Sequence, residues 1–249
     1  MKHTAFVLTL ALAPVLAPLT AQAGGGTVVR ASGNVVVERQ GQKLPVTSGA
    51  APGTTSTSSE SPGFALETGD TLITGNASTA QVRFDDDSVF ALPPASALQI
   101  DQFQLRQGGT EGRAIFTLKH GGLRTITGNV GKTPGDQYEV RTAVANVHVS
   151  GSAYSAVLCT GDCAAGGKFP GGYYVKAEKG IIIVTNGGGE VRLKAGQVAF
   201  VSAAGAAPVK AKLSPFDDPK FAASYAIEMQ FDFRVTPPRV EPEPPASPS

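Results

Sequence analysis

The chain has 249 residues, 21 basic and 20 acidic, three histidines, 30 glycines, two cysteines and no tryptophan. A near-neutral charge with no basic cluster excludes the electrostatic footprint of a nucleic-acid binder and of a polybasic membrane patch. The length suffices for one domain with a sizeable core.

Residues 1–23 are not expected to join the fold. Lys2 and His3 give a short positive start, Ala5 to Leu19 is almost wholly apolar, and Ala21-Gln22-Ala23 has the small-x-small pattern of signal cleavage. An uncleaved anchor would need about 20 apolar residues, and Pro14 and Pro18 interrupt the run. No cysteine sits at the cleavage site to make a lipoprotein. The reading is a cleaved signal peptide and a chain placed in the periplasm, secreted or held at the cell surface. Cleavage removes Lys2 and leaves basic and acidic residues balanced.

From Gly24 to Leu213 the pattern is all-β. Short Val, Ile, Leu and Thr runs alternate with glycine-rich turn chemistry. Val28 to Arg39 opens with alternation, and Gln40-Gly41-Gln42 turns the chain. Thr47 to Pro62 is a polar loop rich in Ser, Thr, Gly and Pro. Order resumes over Phe64 to Gly75, and further strands are expected at Ala80 to Phe84, Val89 to Leu92 and Ala97 to Ile100, the last followed by Phe103 and Leu105. Separate strands follow at Ala114 to Leu118, Leu123 to Thr127, Tyr138 to Thr142, Val144 to Val149 and Tyr154 to Leu158. The last are Tyr173 to Ala177, Gly180 to Thr185, Glu190 to Leu193 and Gln197 to Val201. A loose echo links Gly69-Asp-Thr-Leu-Ile-Thr-Gly75, Gly122-Leu-Arg-Thr-Ile-Thr-Gly128 and Gly180-Ile-Ile-Ile-Val-Thr185. Equal short strands punctuated by glycine suit a solenoid-like stack, with a β-sandwich as the competing architecture.

Residues 214–233 are read as a C-terminal helical segment. Asp218 caps it, Pro219 takes the first helical position, and Phe221, Tyr225 and Met229 share one face, which should close an open end or edge of the β body. Residues 234–249 are a Pro-rich disordered tail.

The order of several short motifs resembles the FecR domain, an all-β extracytoplasmic module. The motifs are Gly33-Asn-Val-Val-Val, Leu66-x-x-Gly69-Asp70-x-Leu72 with Thr74-Gly75, and Val82-x-Phe84-x-Asp86-x-Ser88 with Leu92-Pro93. Thr142 to Tyr154, the Gly180 strand and Ala195-Gly196-Gln197 complete the set. The family commonly has Arg-Gly-Thr where this chain has Ser150-Gly151-Ser152; the glycine is kept and the cation is not. Because the pattern follows the leader directly, the resemblance implies a stand-alone exported FecR domain, without the anti-sigma segment and membrane helix of the signalling members. Interaction or scaffold roles are then the natural expectation.

Candidate chemistry is sparse. Cys159 and Cys163 are expected to form a disulfide, given export into an oxidising compartment; a redox pair or metal site is the rival. Asp85-Asp86-Asp87 reads as a hairpin turn, with cation binding as the rival. His120 and His148 lack a recognisable catalytic partner. No HExxH or GxSxG occurs, and Gly187-Gly-Gly189 lacks the Lys-Ser/Thr of a phosphate loop. No cofactor, metal or reaction is expected. The chain reads as a non-enzymatic interaction or scaffold module of the bacterial cell envelope, its partner another envelope protein or itself, bound by β-augmentation at an edge. The alternative is a cell-wall or carbohydrate-binding module, with Tyr173-Tyr174 beside Gly171-Gly172 as an exposed aromatic platform.

Overall fold

A computed structural model describes residues 25–46, 63–106, 111–159, 161 and 169–225. The expected signal peptide, the Thr47–Pro62 loop, Cys163, Met229 and the Pro-rich tail lie outside the described residues. In chain order the strands are β1 (Gly26–Ser32), β2 (Val35–Arg39), β3 (Gln42–Pro45), β4 (Phe64–Leu66), β5 (Thr71–Thr74), β6 (Thr79–Phe84), β7 (Val89–Leu92) and β8 (Ser96–Gln104). They continue as β9 (Arg113–Ile126), β10 (Gln137–Arg141), β11 (Asn146–Cys159), β12 (Gly172–Asn186), β13 (Gly189–Lys194), β14 (Val198–Val201) and β15 (Val209–Ala211). A 3-10 turn, Pro215–Asp217, and a short helix, α1 (Pro219–Tyr225), follow. The fold is all-β.

All 15 strands belong to one hydrogen-bonded sheet, and the sheet is folded on itself into two facing leaves. The first leaf runs β4, β1, β6, β7, then the second halves of β9 and β11, the first half of β12, β14 and β15. The second runs β3, β2, β5, β8, the first half of β9, β10, the first half of β11, the second half of β12, and β13. The chain passes between leaves at one line of corners: β1 to β2, β5 to β6, β7 to β8, within β9, β11 and β12, and β13 to β14. Stacked rungs and two packed leaves are thus the same object, each rung being one bent strand or strand pair.

The corners explain both the glycines and the buried hydroxyls. Gly121 and Gly180 sit at φ +72° and +76°, a region that β-carbons disfavour. A Cβ on Gly180 would lie 2.6 Å from Ser152 Oγ, and one on Gly121 would collide with Ala95 O and Ser96 Oγ. The crowding serine is also a hydrogen-bonding latch. Asn34 N–H donates to Ser78 Oγ at 2.8 Å beside Gly33, Gly122 N–H donates to Ser96 Oγ at 2.9 Å, and Ser152 Oγ donates to Ile181 O at 2.9 Å. Each latch satisfies a backbone group that the bend removes from the ladder. This corrects one sequence expectation. Ala114–Leu118 with Leu123–Thr127, Val144–Val149 with Tyr154–Leu158, and Tyr173–Ala177 with Gly180–Thr185 are not separate strands. Each pair is one long strand that bends at its glycine.

The core lies between the leaves. Phe84 and Phe90 of the first leaf meet Phe103 and Phe116 of the second, with ring centroids 4.9 Å apart for Phe84–Phe103, 5.1 Å for Phe84–Phe116 and 4.6 Å for Phe90–Phe116. Tilted and edge-on rings of this kind add to the burial energy.

Asp218 caps α1 as expected: its carboxylate accepts from Phe221 N–H at 3.2 Å and its carbonyl from Ala222 N–H at 2.8 Å. The segment covers a face, however, and not an edge. Phe216 packs with Val157, Tyr174 and Val198, which alternate out of the first leaf, and Phe221 joins that cluster. Among the described residues no helix is long and apolar enough to cross a membrane.

Candidate interaction surface

The expected sequence features fall into structural places. Ser150-Gly151-Ser152 is a corner of β11: Gly151 has φ +63°, its N–H donates to Gly131 O, and the Ser152 N–H donates to Thr127 Oγ1 at 2.9 Å. Asp85–Asp87 turns β6 into β7, and its carboxylates have separate partners. Asp85 accepts from Gly25 N–H at 2.8 Å, Asp86 from Ser88 N–H at 2.9 Å and Val130 N–H at 3.2 Å, and Asp87 pairs with Arg83. His120 contacts Ala95 O through Nδ1 at 3.0 Å. His148 faces Glu139 across the strands, Nε2 to Oε1 3.9 Å. Cys159 ends β11, half-buried beside the Phe216 cluster.

The aromatic platform is overturned. Tyr173 is 0% and Tyr174 2% exposed. Neighbours in a strand face opposite ways, so Tyr173 enters the core while Tyr174 turns out beneath the C-terminal segment. Tyr174 stacks on Phe200 with centroids 4.6 Å apart and donates to Pro170 O at 3.0 Å. Burial pushes both phenols above their ordinary pKa. Neither ring is available to a sugar.

Two polar clusters hold the leaves. Arg39 forks onto the buried Asp70, Nε to Oδ1 2.8 Å and Nη2 to Oδ2 2.7 Å, and also reaches Glu67 at 3.0 Å and Ala65 O at 2.9 Å. This gives the Gly69-Asp70 motif its role: Asp70 ties β2 of one leaf to the β4–β5 turn that leaves the other. On the outside of the first leaf, Arg124 donates to both Glu178 oxygens at 2.7–3.0 Å, and Ser155 Oγ donates to Oε1 at 2.6 Å. Burial alone would raise the Glu178 pKa, but the Arg124 and Ser155 bonds outweigh it and hold it below the usual value.

The outer face of the second leaf is polar. One row of directly opposed residues crosses it from Glu38 through Thr71, Gln99, Thr117 and Arg141 to Asn146. It reaches the free edge through Thr185 and Glu190. A second row ends Glu139, His148, Ile183, Arg192. Ile181, half exposed at 50%, lies opposite Lys194.

That edge is β13, reached by a Gly187-Gly188 hairpin from β12. At its end, Lys194 N–H donates to Gln197 Oε1 at 2.9 Å and Lys194 O accepts from Gln197 N–H at 3.0 Å, so the Lys194 backbone points away from β12. Strand alternation aims the N–H and C=O of Arg192 and Glu190 the same way. No hydrogen bond to a described residue takes them up. Glu190 and Arg192 pair with each other at 3.0 Å on the exposed face. The other edges are blunter: β3 ends in Pro45, and β4 and β15 are three residues each.

Comparison with curated proteins finds no match. Among solved structures, two crystal structures of a proposed anti-sigma factor from Parabacteroides distasonis are similar at 15% identity. Their TM-scores are 0.44 and 0.43, and each alignment covers 57% of this chain and 58% of the other. The chain thus spans less than two thirds of those relatives. Residues 70–165 match the family model described as FecR protein. They contain Asp70, the β6–β7 aspartate turn and the Ser150-Gly151-Ser152 corner, and the FecR domain is recognised over this stretch.

Proposed function

We propose that this chain is a non-enzymatic protein-interaction or scaffold module of the bacterial cell envelope, periplasmic or at the cell surface after cleavage of residues 1–23. The FecR domain supports the compartment and the class. The observation that carries the reading is the open sheet with a charged edge that no other described strand covers, a surface suited to adding a strand from another protein. The partner is another envelope protein or a second copy of the chain. The test is crosslinking of the tagged protein in its native cells, with the N-terminus of the exported form sequenced. A recurrent envelope protein, or the chain itself, on a form beginning at Gly24 is the expected result. Retention in the cytoplasm, or recovery without any protein partner, overturns the reading.

A further inference from the structure

We infer that β13 pairs edge to edge with β13 of a second copy, antiparallel and centred on Val191. The inference rests on the protein-interaction reading and names its partner.

The argument is one of register. An antiparallel pair closes its hydrogen bonds only between residues whose N–H and C=O both point across the gap. On this edge those are Glu190 and Arg192, because the Lys194 groups are held by Gln197. A two-fold axis through Val191 places Glu190 opposite the second copy's Arg192, and Arg192 opposite its Glu190. Both residues of each hydrogen-bonding pair then carry opposite charge. Directly opposed unlike charges stabilise a sheet, and like charges destabilise it. The neighbouring registers fail this test. Centring on Glu190 or on Arg192 sets like charge against like, and centring on Leu193 sets Arg192 against Lys194. Only the Val191 register satisfies backbone and charge together, and it is isologous, so it closes as a dimer and does not propagate into a fibre.

The charged face that guards the edge against other strands therefore accepts its own copy. Glu190 and Arg192 already pair within one chain at 3.0 Å; in the dimer their charges become a four-membered network on the outer face. The second leaves of both copies join into one continuous sheet. The contact is small, so the dimer is weak, with a dissociation constant on the order of 10 µM, and added salt loosens it.

Sedimentation equilibrium of the purified signal-free protein tests this with charge reversals, each checked for folding by its thermal melt. E190R and R192E should each raise the dissociation constant at least about 10-fold, since each opposes like charges. An equimolar mixture of the two should form a heterodimer. One chain then presents arginine at both paired positions, and the other presents glutamate at both. The double variant E190R/R192E should dimerise like the wild type. As an independent check on register, V191C should crosslink to itself on oxidation, since residues opposed on a two-fold axis lie within disulfide reach. A monomeric wild type, or a dimer indifferent to the reversals, overturns the pairing. If crosslinking in cells still recovers another envelope protein, the interaction reading survives that failure; if it recovers nothing, both fall.

Discussion

The two ends of the stack close their mouths by different means. At the β3–β4 end, on the side away from the corners, a buried carboxylate is clamped by a guanidinium: Asp70 and Arg39, with Glu67 and Ala65 O around them. At the β13–β15 end a neutral amide does the same work. Asn186 Nδ2 donates to Val144 O of one leaf at 3.2 Å and to Ala206 O of the other leaf's connecting loop at 2.7 Å. The first end holds a charge that cannot be left alone. The second is held by ordinary hydrogen bonds and by the apolar C-terminal cover, and no other described strand pairs with the outer edge of β13. The difference teaches that an open sheet can lock one end and keep the other available.

Changes at the locked end should cost most. Arg39→Met leaves the Asp70 carboxylate, 1% exposed, buried without its cation, and stability should fall by about 3 kcal/mol in urea unfolding. A loss under about 1 kcal/mol would mean that Asp70 finds water. At the other end, a disulfide between Cys159 and Cys163 would pin the β11–β12 connection. Intact mass without reductant should then be lower by two hydrogens, and Cys159→Ser should cost about 2 kcal/mol; an unchanged mass removes the bond. Asn186→Ala should cost about 1.5 kcal/mol by leaving carbonyls unpaired. If it matched Arg39→Met, the contrast between ends would collapse.

Glu178→Gln sharpens the comparison with pH. Its pKa is depressed in the folded chain, so the Arg124 tie stabilises fully above the unfolded glutamate pKa of about 4.3 and is lost as pH falls through the lower folded value. The variant should be about 1 kcal/mol less stable at neutral pH and converge on the wild type in acid. A gap that persists in acid would assign the effect to packing. The smallest change is Tyr173→Phe. The Tyr173 hydroxyl is buried with no hydrogen-bond partner among the described residues, so its removal should leave stability within about 0.5 kcal/mol of wild type in the same urea unfolding. A loss near 2 kcal/mol would reveal a bound water there.

Much of the fold was legible because alternation and short apolar runs between turns locate strands: β6 and β13 lie where the alternating Ala80–Phe84 and Glu190–Leu193 predict them, and β7 where the apolar run Val89–Leu92 does. The bends were misread because a left-handed glycine breaks the period of two, and a turn between strands leaves the same mark as a corner within one. Register shifts beside Gly151, between Ser150 and Ala153, move the apolar phase and deepen that impression. The Arg39–Asp70 tie was invisible, since 31 residues separate its members and neither residue type announces a partner. Tyr173-Tyr174 misled because adjacency in sequence suggested one platform, whereas a strand sends neighbours to opposite faces. The free edge was anticipated as a kind of surface; which strand supplies it depended on Gln197 folding back onto Lys194.

The line of glycine–serine corners has a consequence for how such a domain can change over evolutionary time. Three pairs of neighbouring corners are latched, at Gly33–Ser78, Gly121–Ser96 and Gly180–Ser152, and none of these latches involves Arg39, Asp70 or Asn186. A gene that duplicated or deleted one rung would therefore leave both terminal closures intact. Length is the adjustable parameter of this architecture, and the ends are its fixed parts.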